Sequence, residues 1–313
     1  MHVYRWDLDK TYLATEIESV RGLIRAALET AREKRNVPGS ASLLRALVDH
    51  DPTARVCVLS GSPTQMRAVL EEKLALDGID VHELILKDNL GNLRRGRLRA
   101  VRDQLGYKLP KLLASRVGLG PAVKETLFGD DSEVDALVYA AYAAVVRGDL
   151  TSKDLARILE AGNAYPDAIE AALSAARRIG HADAVQGIFI HVDRGVPLAR
   201  FHLLAGAVTP VFSWLQAALA LEVAGRLRRP QTIEVIRACT AEASLQAPNL
   251  AGLLQDAVRR HIVSADHVRG LVEDESLTAV RDAVLRSLDR LGGVVDRGEE
   301  SAAPDYLGFL RAG

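Results

Sequence analysis

The sequence predicts an α/β protein built on a parallel sheet. Segments with apolar residues at three- and four-residue spacing, typical of amphipathic helices, alternate with short apolar runs typical of strands. Chains that alternate strands and helices form parallel sheets with helices on both faces. The predicted strands are HVYRW at 2–6, VCVL at 56–59, VHELIL at 81–86, ETLF at 125–128 and GIFIHV at 187–192.

Composition narrows the class of protein further. The 313 residues carry a net charge of −1, so the molecule as a whole does not have the basic surface that binds nucleic acids. Cys57 and Cys239 are the only cysteines, and their separation fits neither a zinc site nor a disulfide-rich domain. The N-terminus has no basic and apolar leader. We therefore expect a reduced, cytoplasmic protein.

Helical patterns fill the chain between the strands. The segments 16–34 and 40–50 follow the first strand, with a break at VPG between them. The segment 134–148 is apolar on nearly all sides, which predicts a helix packed against the sheet. Two more helices, 152–162 and 166–180, precede the last strand. Beyond residue 206 we expect no strand, and helices near 211–226, 230–245, 248–261, 265–272 and 276–291.

These patterns predict the division of the chain. We expect an α/β domain over 1–205 with a helical insert at about 150–182, a helical C-terminal region over 206–291, and a loosely held tail over 292–313. The segment 203–221 has no formally charged residue, but Pro210 and several polar residues interrupt it. We predict a buried helix with a break at Pro210 there, and no membrane span.

Polar side chains follow three of the predicted strands. In a parallel sheet the carboxyl ends of the strands meet at one edge, where ligands bind. Carboxylates crowded there raise one another's pKa unless a cation lies between them, and oxygen ligands of this kind suit Mg²⁺. The sequence therefore predicts a magnesium site. The residues after the strands are Asp7 and Asp9, Ser60, and, in GDDSEVD at 129–135, Asp130, Asp131 and Asp135.

With a lysine near position 108, these motifs resemble the Mg²⁺-dependent haloacid-dehalogenase-like (HAD) phosphatases. Four motifs occur in that family's order: DLDKT at 7–11, Ser60 in VCVLSGSP, YK at 107–108 and GDDSEVD at 129–135. About residues 1–205 are most similar to the catalytic domain of the actin-patch phosphatidate phosphatases. The resemblance implies a three-layer, HAD-like (Rossmannoid) fold and a phosphoric monoester hydrolase. The chain departs from the pattern at Arg5 and in the helical stretch 150–182.

The resemblance also implies a role for each residue. Asp7 would be the nucleophile that forms an aspartyl-phosphate, and Asp9 would act as acid and then as base. Ser60 and Lys108 would stabilise the transferring phosphoryl group. Asp135 would orient Lys108 or a metal-bound water. The candidate metal residues are Asp7, Asp9 through its backbone carbonyl, Asp130, Asp131 and Asp135.

Several residues admit two interpretations. Lys111 is the main alternative to Lys108, and Lys87 and Lys124 are weaker ones. His191, in an otherwise apolar strand, is more typical of a core histidine with a hydrogen-bonded ring than of a site residue. Arg5 requires a carboxylate partner if buried, and we expect that partner on a helix. The arginine-rich run 94–102 contains no aromatic residue, which favours a solvated helix face over nucleic-acid binding.

The leading functional hypothesis is a Mg²⁺-dependent phosphatase acting on a phosphorylated small molecule or lipid, with phosphatidate as the substrate that the resemblance implies. A nucleotide or sugar-phosphate phosphatase is the alternative among enzymes. A second alternative is a non-catalytic protein that binds phosphorylated ligands, although the presence of both Asp7 and Asp9 favours catalysis. A kinase is disfavoured because the sequence has no GxxxxGK[ST] loop. We expect no nucleic-acid partner, and the oligomeric state is not predicted.

Overall fold

The computed structural model of the chain describes residues 1–15, 29–89, 91, 103–132, 134–291 and 303–312. The chain divides into two compact units, and each is composed of segments that are distant in the sequence. Unit 1 is formed by Met1–Arg35, Thr53–Pro210 and Ser301–Gly313. Unit 2 is formed by Asn36–Pro52 and Val211–Glu300.

A six-stranded parallel sheet with helices on both faces confirms the predicted α/β, three-layer architecture. The strand order is β3-β2-β1-β4-β5-β6, so the first strand is central. Trp6 in β1 pairs with Val58 in β2 on one side and with Phe128 in β4 on the other. The strands are β1 His2–Trp6, β2 Arg55–Pro63, β3 Glu83–Lys87, β4 Lys124–Asp130, β5 Val185–His191 and β6 Thr209–Val211.

The strand order places a topological switch between β1 and β4. The chain moves from β1 outward to β2 and β3, and then returns to the other side of β1 to form β4 and β5. Connections on the two sides diverge at such a point, which leaves a crevice at the carboxyl ends of the two central strands. The residues that follow β1 and β4 therefore share one crevice.

Seven described α-helices belong to unit 1. The helix Asp135–Arg147 is buried along its whole length up to Val146, as its all-round apolar sequence predicts. It packs against β4 and β5. In chain order, these helices are α2 Arg67–Leu76, α3 Leu105–Arg116, α4 Asp135–Arg147, α5 Ser152–Ala161, α6 Pro166–Ala176, α7 Leu198–His202 and α13 Tyr306–Arg311.

Unit 2 is helical apart from the end of β6. Its core includes Leu43 and Leu47 of its first helix, with Trp214, Ile236 and Leu254 from the later helices, all fully buried or nearly so. Sequence patterns indicate every one of these helices. The helices are α1 Ser40–His50, α8 Trp214–Val223, α9 Arg229–Glu242, α10 Ala247–Arg259, α11 Ala265–Leu271 and α12 Thr278–Asp289.

The structure corrects the prediction for 203–221. Thr209–Val211 forms β6, and a helix begins only at Trp214. A single helix with a break at Pro210 is therefore wrong, and so is the expectation of no strand beyond residue 206. Pro210 has no N–H to donate, which suits the short strand at the sheet edge. Within the described residues, no helix has the length and hydropathy needed to cross a membrane.

Two other predictions fall wholly or mainly outside the described residues. The helix predicted over 16–34 falls mainly on 16–28, and its described remainder forms a turn at residues 31–33. The arginine-rich run 94–102 also lies outside the described residues.

Arg5 has the buried carboxylate partner that its position requires, but the partner lies on a strand. The guanidinium Nε is 2.8 Å from Oε1 of Glu125 in β4, and Nη2 is 2.7 Å from the same oxygen. The expectation of a partner on a helix is wrong. The Tyr142 hydroxyl of α4 donates to the other oxygen, Oε2, at 2.5 Å. Burial lowers the pKa of Arg5, and the nearby Tyr142 and Glu125 more than reverse this, so Arg5 stays charged.

Candidate active site

Three buried carboxylates meet at the carboxyl ends of β1 and β4. Asp7 follows β1, Asp130 ends β4, and Asp135 is the first residue of α4. Each offers an oxygen within 4.8 Å of those of the other two, and none of the three residues is more than 1% exposed. Such a group can hold a metal ion, because carboxylates this close repel one another unless a cation lies between them.

Lys108 contacts two of these carboxylates from α3. Its ammonium Nζ lies 2.8 Å from Asp7 Oδ1 and 2.6 Å from Asp135 Oδ1, and the residue is fully buried. One lysine offsets one of three negative charges. The charge of the three carboxylates therefore still fits a divalent cation, which hard oxygen ligands prefer.

The Thr11 hydroxyl lies between two of the carboxylates, although its sequence position predicted no role for it. Its Oγ1 is 3.1 Å from Asp7 Oδ2 and 3.3 Å from Asp130 Oδ2. Thr11 is four residues after Asp7 in DLDKT, and the backbone N–H groups of Tyr12 and Leu13 bond back to the Leu8 carbonyl. This tight turn returns the hydroxyl to the strand end. A short polar residue four positions after Asp7 was the available signal.

The Asp9 carboxylate is not one of the three that meet, and it contacts the serines of β2. Its Oδ2 accepts hydrogen bonds from Ser62 Oγ at 2.8 Å and from Ser60 Oγ at 3.2 Å. Asp9 is partly exposed, whereas Ser60 is fully buried. The structure thus brings Ser60 to Asp9, and it adds Ser62, a residue of SGSP for which no role was predicted.

Asp131 lies outside the group of three carboxylates. Its Oδ1 accepts hydrogen bonds from the backbone N–H groups of Asp193 at 2.8 Å and Arg194 at 2.9 Å, and its Oδ2 accepts one from that of Val196 at 3.0 Å. Both carboxylate oxygens therefore hold the loop that follows β5. The structure assigns this contact to Asp131, and its predicted role as a metal residue stays a prediction.

Gly129 is required by the close approach of α4 to β4. A Cβ atom at this position would lie 2.7 Å from Asp135 Cβ and 2.7 Å from Tyr139 Cε2. Atoms that close must move apart, and Asp135 is one of the three buried carboxylates. The glycine of GDD therefore lets the first turn of α4 reach the strand end.

Part of the chain matches a known protein family. A family model described as Phosphatidate phosphatase APP1, catalytic domain, matches residues 6–152. This segment is similar to the catalytic domain of phosphatidate phosphatase APP1. Similarity to the actin-patch phosphatidate phosphatases is thereby confirmed. No curated protein and no solved structure matches.

The APP1-like segment contains all of the predicted site residues, from Asp7 to Asp135. It ends at residue 152, so β5 and the helices after α4 lie beyond it. Of the competing lysines in the segment, Lys111 is exposed, Lys87 Nζ donates to the Asp103 carbonyl at 2.7 Å, and Lys124 Nζ donates to the Asp183 carbonyl. Lys108 is the lysine that contacts Asp7.

His191 lies beyond the APP1-like segment and has the hydrogen-bonded ring expected of a core histidine. Its Nδ1 is 3.3 Å from the Lys10 carbonyl oxygen, which can only accept, so this nitrogen carries the proton. Burial lowers the pKa of His191 below its ordinary value. Lys10 itself has a positive φ of 61° and pairs with Asp193 at 3.0 Å. These contacts tie the loop after β5 to the DLDKT segment.

Proposed function

We propose that this chain is a Mg²⁺-dependent, HAD-like phosphatase that hydrolyses phosphatidate or a related lipid phosphate through an aspartyl-phosphate on Asp7. The observation that carries the proposal is the buried group of Asp7, Asp130 and Asp135 with Lys108, in a segment similar to a phosphatidate phosphatase catalytic domain. We expect it to act in the cytoplasm.

In the first step a carboxylate oxygen of Asp7 attacks phosphorus. A bond forms between that oxygen and phosphorus, the bond from phosphorus to the alcohol oxygen breaks, and Asp9 gives its proton to the departing oxygen. Asp7 and Asp9 are one residue apart with different partners, since Asp7 contacts Lys108 and Asp9 contacts the serines of β2. The two carboxylates therefore occupy different places beside one substrate.

In the second step water attacks phosphorus of the aspartyl-phosphate. Asp9, now ionised, takes a proton from the water, the bond between phosphorus and Asp7 breaks, and inorganic phosphate leaves. Asp9 ends the cycle protonated and Asp7 ends it ionised, as they began. The partial exposure of Asp9 supports this role because its carboxylate must meet both the alcohol oxygen and water.

The remaining residues of the site position its positive charges, the Lys108 ammonium and a bound Mg²⁺. Lys108 bridges Asp7 and Asp135, which orients the nucleophile and places a positive charge beside the transferring group. Asp7, Asp130 and the backbone carbonyl of Asp9 would hold Mg²⁺, with Asp135 beside them. A bound Mg²⁺ supplies positive charge that offsets the repulsion between an anionic substrate and an anionic nucleophile.

The helical pair α5 and α6 is proposed to help select the substrate. A cavity of about 220 Å³ lies between α3 and α6, and Tyr107, Lys111, Tyr165 and Asp167 are among its lining residues. Tyr107 and Lys111 are on the helix that carries Lys108. The position of this cavity beside the helix of Lys108 supports a role for α6 in substrate choice.

The test of the mechanism uses Asp7→Asn and Asp9→Asn with p-nitrophenyl phosphate and Mg²⁺. Asp7→Asn should abolish turnover and leave no covalent phosphate, because an amide cannot attack phosphorus. Asp9→Asn should form the phosphoenzyme, since p-nitrophenolate leaves without protonation, but hydrolyse it about 10²–10⁴-fold more slowly. Mass spectrometry of acid-quenched protein should then show phosphate on the peptide containing Asp7 in Asp9→Asn. Wild-type turnover in both variants would refute the proposal.

The substrate class is tested with a panel of phosphate esters under the same conditions. Phosphatidate in mixed micelles should give the highest kcat/KM, above nucleotides and sugar phosphates. A preference for a nucleotide or sugar phosphate would keep the mechanism and overturn the lipid assignment. If the protein bound the esters but hydrolysed none of them, the result would favour the non-catalytic alternative.

A further inference from the structure

Two serine hydroxyls converge on one oxygen of Asp9. Ser62 Oγ lies 2.8 Å from Asp9 Oδ2, and Ser60 Oγ lies 3.2 Å from the same atom. Both serines belong to the SGS sequence near the end of β2, where the pairing with β3 is irregular between Ser60 and Pro63, and this irregular segment brings both hydroxyls to Asp9. Ser62 is only 9% exposed, so water competes little for its contact with Asp9.

The two carboxylate oxygens of Asp9 differ in their hydrogen bonds. Among the residues that the structure describes, no donor bonds to Oδ1, while Oδ2 accepts from both serines. A hydroxyl that donates to Oδ2 fixes the rotation of the carboxyl group and leaves the other oxygen to carry a proton. The direction of that proton is then set by the protein before the substrate arrives.

We propose that Ser62 is a positioning residue that orients Asp9, so that Asp9 Oδ1 delivers the proton to the departing alcohol and later takes one from water. This inference rests on the proposed acid and base role of Asp9. It assigns to Ser62 a part in the reaction separate from that of Ser60.

The contacts of Ser60 explain why two serines are needed. The backbone N–H of Ser62 donates to Ser60 Oγ at 2.9 Å, which occupies the acceptor side of that hydroxyl and leaves its single proton to be donated. When that proton turns to a phosphoryl oxygen of the substrate, Ser60 releases Asp9. Ser62, at the shorter distance, continues to hold Oδ2 through both chemical steps.

The residue between the serines is restricted as well. A Cβ atom on Gly61 would lie 2.6 Å from Nε2 and 2.9 Å from Oε1 of Gln104. Because this amide is the end of a flexible side chain, a Cβ atom at position 61 would require the Gln104 amide to move. Gly61 therefore allows the SGS segment to lie close to the Gln104 side chain.

The test is the effect of Ser62→Ala on two aryl phosphates with different leaving groups, in the presence of Mg²⁺. Because kcat/KM reports the phosphorylation step, it should fall about 10- to 100-fold for phenyl phosphate, whose phenolate needs a proton, as expected for partial loss of acid catalysis. For p-nitrophenyl phosphate kcat/KM should stay within about threefold, while kcat and KM fall together because hydrolysis of the phosphoenzyme slows.

The ratio of the two kcat/KM values in one preparation does not depend on the fraction of folded protein. Ser62→Thr keeps the hydroxyl and should restore the wild-type ratio. If Ser62→Ala lowered kcat/KM equally for both substrates, the ratio would stay unchanged and the positioning role would be overturned. This holds even if Asp7→Asn is inactive, as the proposed function requires. Turnover by Asp7→Asn would instead refute the proposed function itself.

Discussion

At the scale of single residues, charge pairing distinguishes Lys108 from its neighbour Lys111. Both lie on α3, and they are three positions apart. Lys108 is fully buried against Asp7 and Asp135, whereas Lys111 is exposed and lines the cavity beside α6. A buried ammonium between two carboxylates cannot be removed without leaving negative charge unpaired in a site of low dielectric constant.

We expect Lys108→Met to lose about 10²–10³-fold in kcat, the magnitude typical of removing one group that stabilises transition-state charge. The matched control is Lys111→Met, which removes the same charge from the exposed side of the same helix and should leave kcat near that of the wild type. Steady-state kinetics with p-nitrophenyl phosphate measure kcat for both variants. Comparable losses in the two variants would contradict the assignment of Lys108.

At the scale of elements, the ion pair between β1 and β4 joins the two strands that support the crevice. Arg5 and Glu125 are 2% and 0% exposed, and Arg116 of α3 and Tyr142 of α4 also approach the Glu125 carboxylate. Strands and helices on which the site residues lie therefore meet at one buried carboxylate. Removal of one partner leaves the other as an uncompensated charge in the core.

Glu125→Gln should lower the free energy of unfolding by about 3–5 kcal/mol, because it leaves Arg5 without a buried counter-charge. The double variant Arg5→Met/Glu125→Gln should be destabilised by less than the sum of the two single variants. Urea denaturation measures each value, and Glu170→Gln on the exposed side of α6 is the control, with an expected change within about 0.5 kcal/mol. Additive losses would mean that the two side chains are not coupled.

At the scale of the whole molecule, we expect metal binding at the site to stabilise unit 1. The two tryptophans of the chain are fully buried, Trp6 in unit 1 and Trp214 in unit 2. The Trp6 ring stacks on Phe128 with ring centroids 4.2 Å apart, and the Phe128 carbonyl accepts the backbone N–H of Asp7 at 2.9 Å. Trp6 fluorescence therefore reports on the strand that ends directly before Asp7.

In a Trp214→Phe variant, Mg²⁺ should raise the midpoint of the thermal transition that Trp6 reports. A ligand at about 100 times its Kd stabilises the folded state by about 2.7 kcal/mol. Adding Asp130→Asn to that variant should remove most of the shift, because one carboxylate of the buried group is lost. The same rise in both proteins would show that Mg²⁺ acts elsewhere.

The class of fold and most positions of the candidate site could be predicted from the amino-acid sequence. Apolar runs and helical spacing are local signals, and the carboxyl ends of parallel strands meet at one edge. These two facts are enough to predict that Asp7, Asp130 and Ser60 lie at one edge of the sheet. The similarity of residues 6–152 to a phosphatidate phosphatase catalytic domain agrees with what the motifs indicated.

The contacts between side chains of the site could not be predicted in this way. Lys108 reaches Asp7 across 101 positions of sequence, and Asp131 reaches the backbone of Asp193 across 62. The face that a helix presents to the site depends on how it packs, so the sequence left Lys108 and Lys111 as alternatives. Likewise no local pattern indicated that residues 36–52 join unit 2. Contacts of this kind follow from packing between distant segments, which no short stretch of sequence encodes.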